Sequence, residues 1–94
     1  MQLIIYSLEG CPYSMKSESL LKLYKPKIVK VTQAEKDKYK KQNGMNTFPQ
    51  IFLDTIKIGG LDSVTELLAK IFNNEKINFN TTDADKIIKF FLNK

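Results

Sequence analysis

The chain has 94 residues, 43% apolar and 27% charged, a size for one small globular domain and a composition too ordinary for a fibrous or disordered protein. It has no histidine, which excludes imidazole catalysis. It has one cysteine, Cys11, and a single cysteine excludes an intramolecular disulfide and a cysteine-based zinc site within one chain. The net charge of +5 comes from scattered lysines with no arginine, which favours a solvated surface over a nucleic-acid interface.

The sequence also carries information about where the protein works. No apolar run reaches the roughly 18 residues of a membrane-spanning helix, so we expect no membrane partner. The first residues lack the basic segment and cleavage site of a secretory signal. A lone thiol without such a signal is typical of a reducing compartment, so we expect a cytoplasmic protein.

The first strand and helix are indicated by apolar residues and prolines. Leu3-Ile4-Ile5-Tyr6 is an apolar run that favours a strand buried on both faces, followed by a loop over residues 7–10. Pro12 fits the first position of a helix, and Pro26 ends it. We expect the buried face of this helix to contain Met15, Leu20, Leu23 and Tyr24.

A second strand and a polar helix follow. The β-branched segment Lys27-Ile28-Val29-Lys30-Val31 predicts a strand. Thr32 and Glu35 have the spacing of a capping box, which opens a helix. That helix is mostly polar, so we expect it on the surface, ending at Asn43-Gly44.

The second half of the chain predicts a hairpin and an amphipathic helix. Residues 50–53 and 56–58 are two short strands joined by a turn at Asp54-Thr55. Asp62 is a candidate N-cap for the next helix. The residues with core spacing in that helix are Val64, Leu67, Leu68, Ile71 and Phe72.

The C-terminal segment is predicted to be a polar connector over 73–80 and then a helix over 81–93. Thr81, Thr82 and Asp83 are its candidate caps. Its apolar stripe is expected to pack on the protein's own core, although a partner-binding face is the alternative. The stripe consists of Ala84, Ile87, Ile88 and Phe91.

The predicted order is therefore β-α-β-α-β-β-α plus a C-terminal helix. We expect an α/β fold with a mixed four-stranded sheet flanked by helices, whose first β-α-β unit is a right-handed parallel crossover. We further expect a single domain over 1–94, with a core over 1–73 and a helical extension over 81–93.

Cys11 is predicted to be reactive from its position alone. It precedes the first helix, whose free N–H groups and dipole stabilise a thiolate. Such a position lowers the pKa of a cysteine from about 8.5 into a range of roughly 3.5–7.5. The alternative is an inert buried cysteine. The loop–helix boundary after Gly10, rather than an apolar run, favours the reactive interpretation.

Three motifs in this order resemble the glutaredoxin family over residues 1 to about 73. They are Gly10-Cys11-Pro12-Tyr13-Ser14, Thr47-Phe48-Pro49 and Gly59-Gly60-Leu61-Asp62. The resemblance implies the thioredoxin-like fold and a glutathione-dependent redox function. It further implies glutathione as co-substrate, glutathionylated proteins as partners, a monomer, and no metal.

The resemblance also implies roles for individual residues. Catalysis is assigned to Cys11, Pro12, Tyr13 and Ser14. Before a cis Pro49, the backbone of Phe48 is expected to pair with the cysteinyl part of glutathione. Asp62 and Ser63 are expected to bind its γ-glutamyl end, and Lys36 its glycyl carboxylate unless this lysine is only solvated surface. The full expected glutathione-binding set is Tyr13, Lys36, Thr47, Phe48, Pro49, Gly60, Leu61, Asp62 and Ser63.

Two departures from the family pattern bear on function. Leu8 stands where the family usually has a basic residue, which is expected to weaken thiolate stabilisation unless Lys36 compensates. Ser14, native or engineered, stands where dithiol members have a second cysteine. The leading hypothesis is therefore monothiol deglutathionylation through Cys11, which belongs to cell redox homeostasis. The alternatives are a redox-inactive adaptor and an iron–sulfur cluster carrier. In the carrier, the resemblance implies a homodimer in which each subunit contributes Cys11 and one glutathione to a shared cluster.

Overall fold

The computed structural model describes residues 1–93, and Lys94, the end of the expected domain, lies outside the described residues. The predicted order of strands and helices is confirmed. The strands and α-helices are β1 (Leu3–Leu8), α1 (Pro12–Leu20), β2 (Lys27–Val31), α2 (Lys36–Asn43), β3 (Gln50–Leu53), β4 (Ile56–Gly59), α3 (Leu61–Phe72) and α4 (Thr81–Leu92). No helix within residues 1–93 combines the length and the apolar character that crossing a bilayer requires.

The four strands form one mixed sheet in the order β2-β1-β3-β4. β1 runs parallel to β2, with Ile5 opposite Ile28, and antiparallel to β3, with Ile5 opposite Ile51. β3 and β4 form the predicted antiparallel hairpin. Because β1 is a central strand that leads directly to α1, its carboxyl end fixes the position of Cys11.

β1 is longer than the apolar run predicted. It includes Ser7 and Leu8, which we expected in a loop. Ser7 is buried, and its hydroxyl is satisfied by a hydrogen bond that it donates to the carboxylate of Glu18 on α1. Lys30 on β2 forms an ion pair with the same carboxylate at 3.1 Å. The Ser7 hydrogen bond and Lys30 together lower the pKa of Glu18.

The buried face of α1 differs from the prediction. Ser14, Ser17 and Leu21 are fully buried. Small side chains let α1 approach β1 closely, and the Ser17 hydroxyl donates to the Ser14 carbonyl oxygen at 2.7 Å. The predicted face was wrong, since Tyr24 is only half-buried and the other three residues are exposed: Met15, Leu20 and Leu23.

The capping box and the surface helix are confirmed. The backbone N–H of Thr32 donates to Oε1 of Glu35 at 3.2 Å. This box opens a 3-10 turn (Gln33–Glu35), and α2 follows it directly. None of the residues Lys36–Asn43 is buried, and the helix ends at Gly44 with φ of +63°.

α4 packs on the core, as the main interpretation of its stripe predicted. Ile87 and Phe91 are fully buried, and the Tyr24 hydroxyl donates to the Phe91 carbonyl oxygen at 3.2 Å. The N-cap is Asn80, not the predicted residues 81–83. Its Oδ1 accepts a hydrogen bond from the backbone N–H of Asp83 at 2.9 Å. α4 and Ile77 of the connector therefore belong to the same buried cluster as the sheet.

Candidate functional site

Cys11 lies at the junction predicted for it, between the end of β1 and the start of α1. It is the N-cap residue of α1, with φ −93° and ψ 114°, and Pro12 occupies the first turn. The first backbone bond of the helix runs from the N–H of Met15 to the Cys11 carbonyl oxygen at 3.1 Å. The preceding N–H groups of the first turn are therefore free to point at Sγ, which is partly exposed.

The pKa of the Cys11 thiol is lowered from its ordinary value. Partial burial alone raises this pKa. Hydrogen bonds from the Ser14 backbone N–H, the Ser14 hydroxyl and the Tyr13 backbone N–H outweigh burial, because each stabilises the thiolate. A thiolate is the nucleophilic form of cysteine, so the site is arranged for nucleophilic attack by sulfur.

Ser14 contributes more than the absence of a second thiol. Its side chain is fully buried, and its Oγ accepts a hydrogen bond from the backbone N–H of Leu8 at 3.1 Å. This bond occupies an acceptor site of the hydroxyl and leaves its proton available to Sγ of Cys11. Leu8, which replaces the basic residue usual in the family that the sequence resembles, thus holds the Ser14 hydroxyl in place through its backbone.

We predict that Ser14→Ala raises the pKa of Cys11, because one of the hydrogen bonds to the thiolate is lost. The pH at which iodoacetamide alkylation reaches half its maximal rate should move upward. Ser17→Ala is the matched control, since it removes an equally buried hydroxyl that contacts a carbonyl oxygen instead of the thiol. An unshifted profile in Ser14→Ala would show that the hydroxyl does not support the thiolate.

The loop before β3 faces the cysteine. The Phe48–Pro49 peptide bond is cis, as the family resemblance implied. The Phe48 carbonyl oxygen lies 4.0 Å from Sγ of Cys11. The Phe48 side chain is buried, with 8% exposed, so the ring does not stand out into solvent beside the thiol.

A buried glutamine that the sequence analysis missed holds this loop. Gln50 is fully buried at the start of β3. Its Oε1 accepts from Nδ2 of Asn43 at 2.8 Å, and its Nε2 donates to the Met45 carbonyl oxygen at 3.3 Å. A polar residue opening an otherwise apolar strand was the available signal, because a buried amide requires hydrogen-bond partners.

The start of α3 corrects one prediction. The N-cap residue is Gly60, and Asp62 is an exposed residue of the first helical turn. Gly59 has φ of +128°, and a Cβ there would lie 2.7 Å from the Ser63 side chain. The backbone turn into α3 therefore requires glycine at position 59.

A groove of about 310 Å³ joins the cis-proline loop to the start of α3. It brings together every residue of the expected glutathione-binding set except Lys36, which begins α2 and does not line the groove. Tyr13, which follows Cys11 by two residues, also lines the groove and is 61% exposed. The lining residues are Tyr13, Thr47, Phe48, Pro49, Gly60, Leu61, Asp62 and Ser63.

The fold and the site together define a class of protein. The sheet order, the cis-proline loop and a thiolate at a helix N-terminus are those of a thioredoxin-like thiol oxidoreductase. The comparison with family models narrows this class, because the Glutaredoxin model matches residues 3–57. The chain belongs to the glutaredoxin family.

Relatives and solved structures agree with this assignment. Glutaredoxin 1 of Rickettsia felis is 42% identical over 71 residues, covering 69% of this chain and 70% of that protein. Glutaredoxin 3 of Escherichia coli is 33% identical over 70 residues, covering 70% and 84%. The crystal structure of Glutaredoxin 1 from Francisella tularensis, complexed with cacodylate, superposes with a TM-score of 0.60 at 25% identity over 77% of this chain and 96% of that one. The predicted thioredoxin-like fold is thereby confirmed.

Proposed function

We propose that the protein is a monothiol glutathione-disulfide oxidoreductase that removes glutathione from glutathionylated proteins through Cys11. The observation that carries this proposal is the position of a thiol of lowered pKa 4.0 Å from the carbonyl oxygen of Phe48, a residue that lines the groove. An extended peptide such as glutathione would fit a groove lined both by the loop before β3 and by a carboxylate at the start of α3.

The reaction takes two thiol–disulfide exchanges. The Cys11 thiolate attacks the glutathione sulfur of the mixed disulfide, the substrate–glutathione S–S bond breaks, and the substrate sulfur leaves and takes up a proton. A second glutathione, as thiolate, then attacks the glutathionyl sulfur on Cys11. Oxidised glutathione leaves and the Cys11 thiolate is restored, so the sulfur of the second glutathione is oxidised from thiol to disulfide and the substrate sulfur is reduced from disulfide to thiol.

The chain contains one cysteine, so no second protein thiol can resolve the mixed disulfide. Turnover of a glutathionylated peptide should therefore depend on added glutathione. It should stop after a single turnover when glutathione and other thiol reductants are omitted. Coupling to glutathione reductase and NADPH measures this turnover. If peptide reduction were absent at saturating glutathione, the proposal would be wrong.

Asp62 is the residue we assign to the ammonium group of glutathione. It lines the groove and is exposed at the first turn of α3, where its carboxylate is free to meet a cation. Phe48 supplies backbone groups close to the Cys11 thiol. Contacts with Phe48 and Asp62 together would thus fix the peptide with its sulfur next to Cys11.

We predict that Asp62→Asn raises KM for glutathione about tenfold while kcat changes little, since a charge-assisted contact made in both ground and transition states is lost. Glu66→Gln is the matched control, because Glu66 lies one turn further along α3, outside the groove, where it pairs with Lys70 at 3.2 Å. Equal KM values in Asp62→Asn and the parent protein would remove Asp62 from the binding site.

The residues of one chain do not fit an iron–sulfur cluster by themselves. Such clusters are held by four thiolate ligands, and one chain supplies a single thiolate. Within residues 1–93 no group of three or more cysteine, aspartate or glutamate side chains is arranged for a metal ion. Anaerobic reconstitution with iron, sulfide and glutathione tests the carrier hypothesis: a visible absorbance band with dimerisation, and no deglutathionylation, would replace the present proposal.

We further propose that the protein works as a monomer in the cytoplasm. A thiol-dependent reaction that consumes reduced glutathione requires a compartment in which glutathione is kept reduced. The physiological partners in this proposal are glutathione and glutathionylated proteins.

A further inference from the structure

A second groove lies away from Cys11, and the redox reaction does not use it. It has a volume of about 510 Å³, compared with about 310 Å³ for the groove beside the thiol. Its apolar lining comes from Met1, from the segment that follows α1, and from α4. The residues that line it are Met1, Leu23, Tyr24, Lys25, Lys89, Phe90 and Asn93.

This groove lies near the start of β1, whereas the thiol lies beyond the end of β1. Met1 precedes the start of β1, whereas Cys11 follows its end. β1 has six residues, and at about 3.3 Å per residue its two ends are separated by roughly 20 Å. An occupant of the second groove would therefore leave Cys11 open to its substrate.

The apolar lining is held in place and yet accessible. Tyr24 and Phe90 have ring centroids 5.8 Å apart, and each contacts the ring of the buried Phe91, so the floor is anchored in the core. At the rim, Leu23 is 71% exposed and Met1 is 59% exposed. Side chains of this kind, fixed below and exposed above, form a surface suited to an apolar partner face.

In the part of the chain that the structure describes, the charged side chains that line this groove are all positive. They are Lys25 and Lys89, both exposed. Among residues 1–93 neither forms an ion pair, since the ion pairs there involve Lys30 and Lys70. With a net charge of +5, a second copy of this chain would bring like charge to the groove, which disfavours self-association.

We propose that this groove docks an amphipathic, acidic helical segment of a partner protein. The apolar face of the helix would lie over Leu23 and Phe90, and carboxylates on its flanks would meet Lys25 and Lys89. The site would hold the redox domain on its partner while the thiol remains free. This inference goes beyond the proposed redox function and does not depend on it.

The test uses a synthetic helical peptide of about three turns with leucine at i, i+3, i+4 and i+7 and glutamate elsewhere. Fluorescence anisotropy of the labelled peptide at low salt measures binding to the full chain. Lys25→Glu with Lys89→Glu should weaken binding about tenfold or more, because two attractions become repulsions. Leu23→Ser should weaken it similarly. Both changes are at exposed side chains, so the fold should be retained.

Matched controls lie elsewhere on the surface. Lys41→Glu with Lys76→Glu makes the same change in net charge outside the groove. Phe72→Ser removes another exposed apolar side chain, 59% exposed at the end of α3. Both should bind the peptide like the parent chain, and all variants should keep deglutathionylation. Equal weakening by groove and control variants would overturn the proposal. Two further results would also overturn it: tighter binding to phosphatidylserine vesicles than to the peptide, or self-association that Leu23→Ser abolishes.

Discussion

Cys11→Ser is expected to reduce turnover of a glutathionylated peptide by at least about a thousandfold, because a serine hydroxyl is not ionised near neutral pH and cannot replace the thiolate. The fold should be unaffected. Cys11 is only partly buried and forms no disulfide. Steady-state rates and thermal unfolding measured on the same sample separate the two effects.

Ser19→Ala provides the control on the same helix. Ser19 is exposed on α1 and does not line the groove beside Cys11, so this variant should keep the parent rate. Residual turnover above the uncatalysed background in Cys11→Ser would refute the assignment of the nucleophile.

Phe91→Ala is expected to have the largest effect on stability. The Phe91 ring is fully buried between Tyr24 and Phe90, and a cavity of that size costs about 3–5 kcal/mol. Because small domains are stable by only about 5–15 kcal/mol, a large share of the free energy of unfolding would be lost. Urea denaturation of both proteins measures the difference.

The neighbouring Leu92 is the matched control for this prediction. It lies on the same helix but is 51% exposed, so Leu92→Ala should stay within about 0.5 kcal/mol of the parent chain. Equal stability of Phe91→Ala and Leu92→Ala would show that α4 is an appendage. A large difference would mean that residues 81–93 complete the core, instead of extending a core that ends near residue 73.

Strands and helices were predictable where hydrophobic periodicity and caps agreed. β2, the hairpin of β3 and β4, and the helix over Val64 and Ile71 have regular patterns, and the structure follows them. The prediction was wrong only for Phe72, which the spacing placed in the core and which is 59% exposed at the end of α3. The capping box at Thr32 was equally clear, because its two residues are adjacent to the helix they begin.

The face of α1 was not predictable from periodicity. Hydrophobicity favoured Met15 and Leu23, but these two side chains are exposed, and the small side chains of Ser14 and Ser17 are buried instead. Their hydroxyls are satisfied by the Leu8 N–H and the Ser14 carbonyl oxygen, partners that exist only after folding. The length of β1 was underestimated for the same reason, because Ser7 is buried through its hydrogen bond to Glu18.

The candidate site was predictable in two different ways. Helix physics alone indicated a reactive Cys11, because proline follows it and a loop precedes it. The groove depended on the family resemblance, since nothing local in Thr47-Phe48-Pro49 indicates that this loop meets the start of α3. Lys36 does not line the groove; it begins α2, directly after the 3-10 turn that the capping box opens.

We propose that the Cys11 thiolate attacks the glutathione sulfur of a mixed disulfide. A single-turnover experiment tests it: the reduced chain is mixed with a peptide joined by a disulfide to isotopically labelled glutathione, and intact masses are recorded. We predict a covalent adduct between the chain and labelled glutathione, mapped to Cys11, together with free peptide. An adduct between the chain and the peptide, or a chain that stays unmodified, would contradict the account.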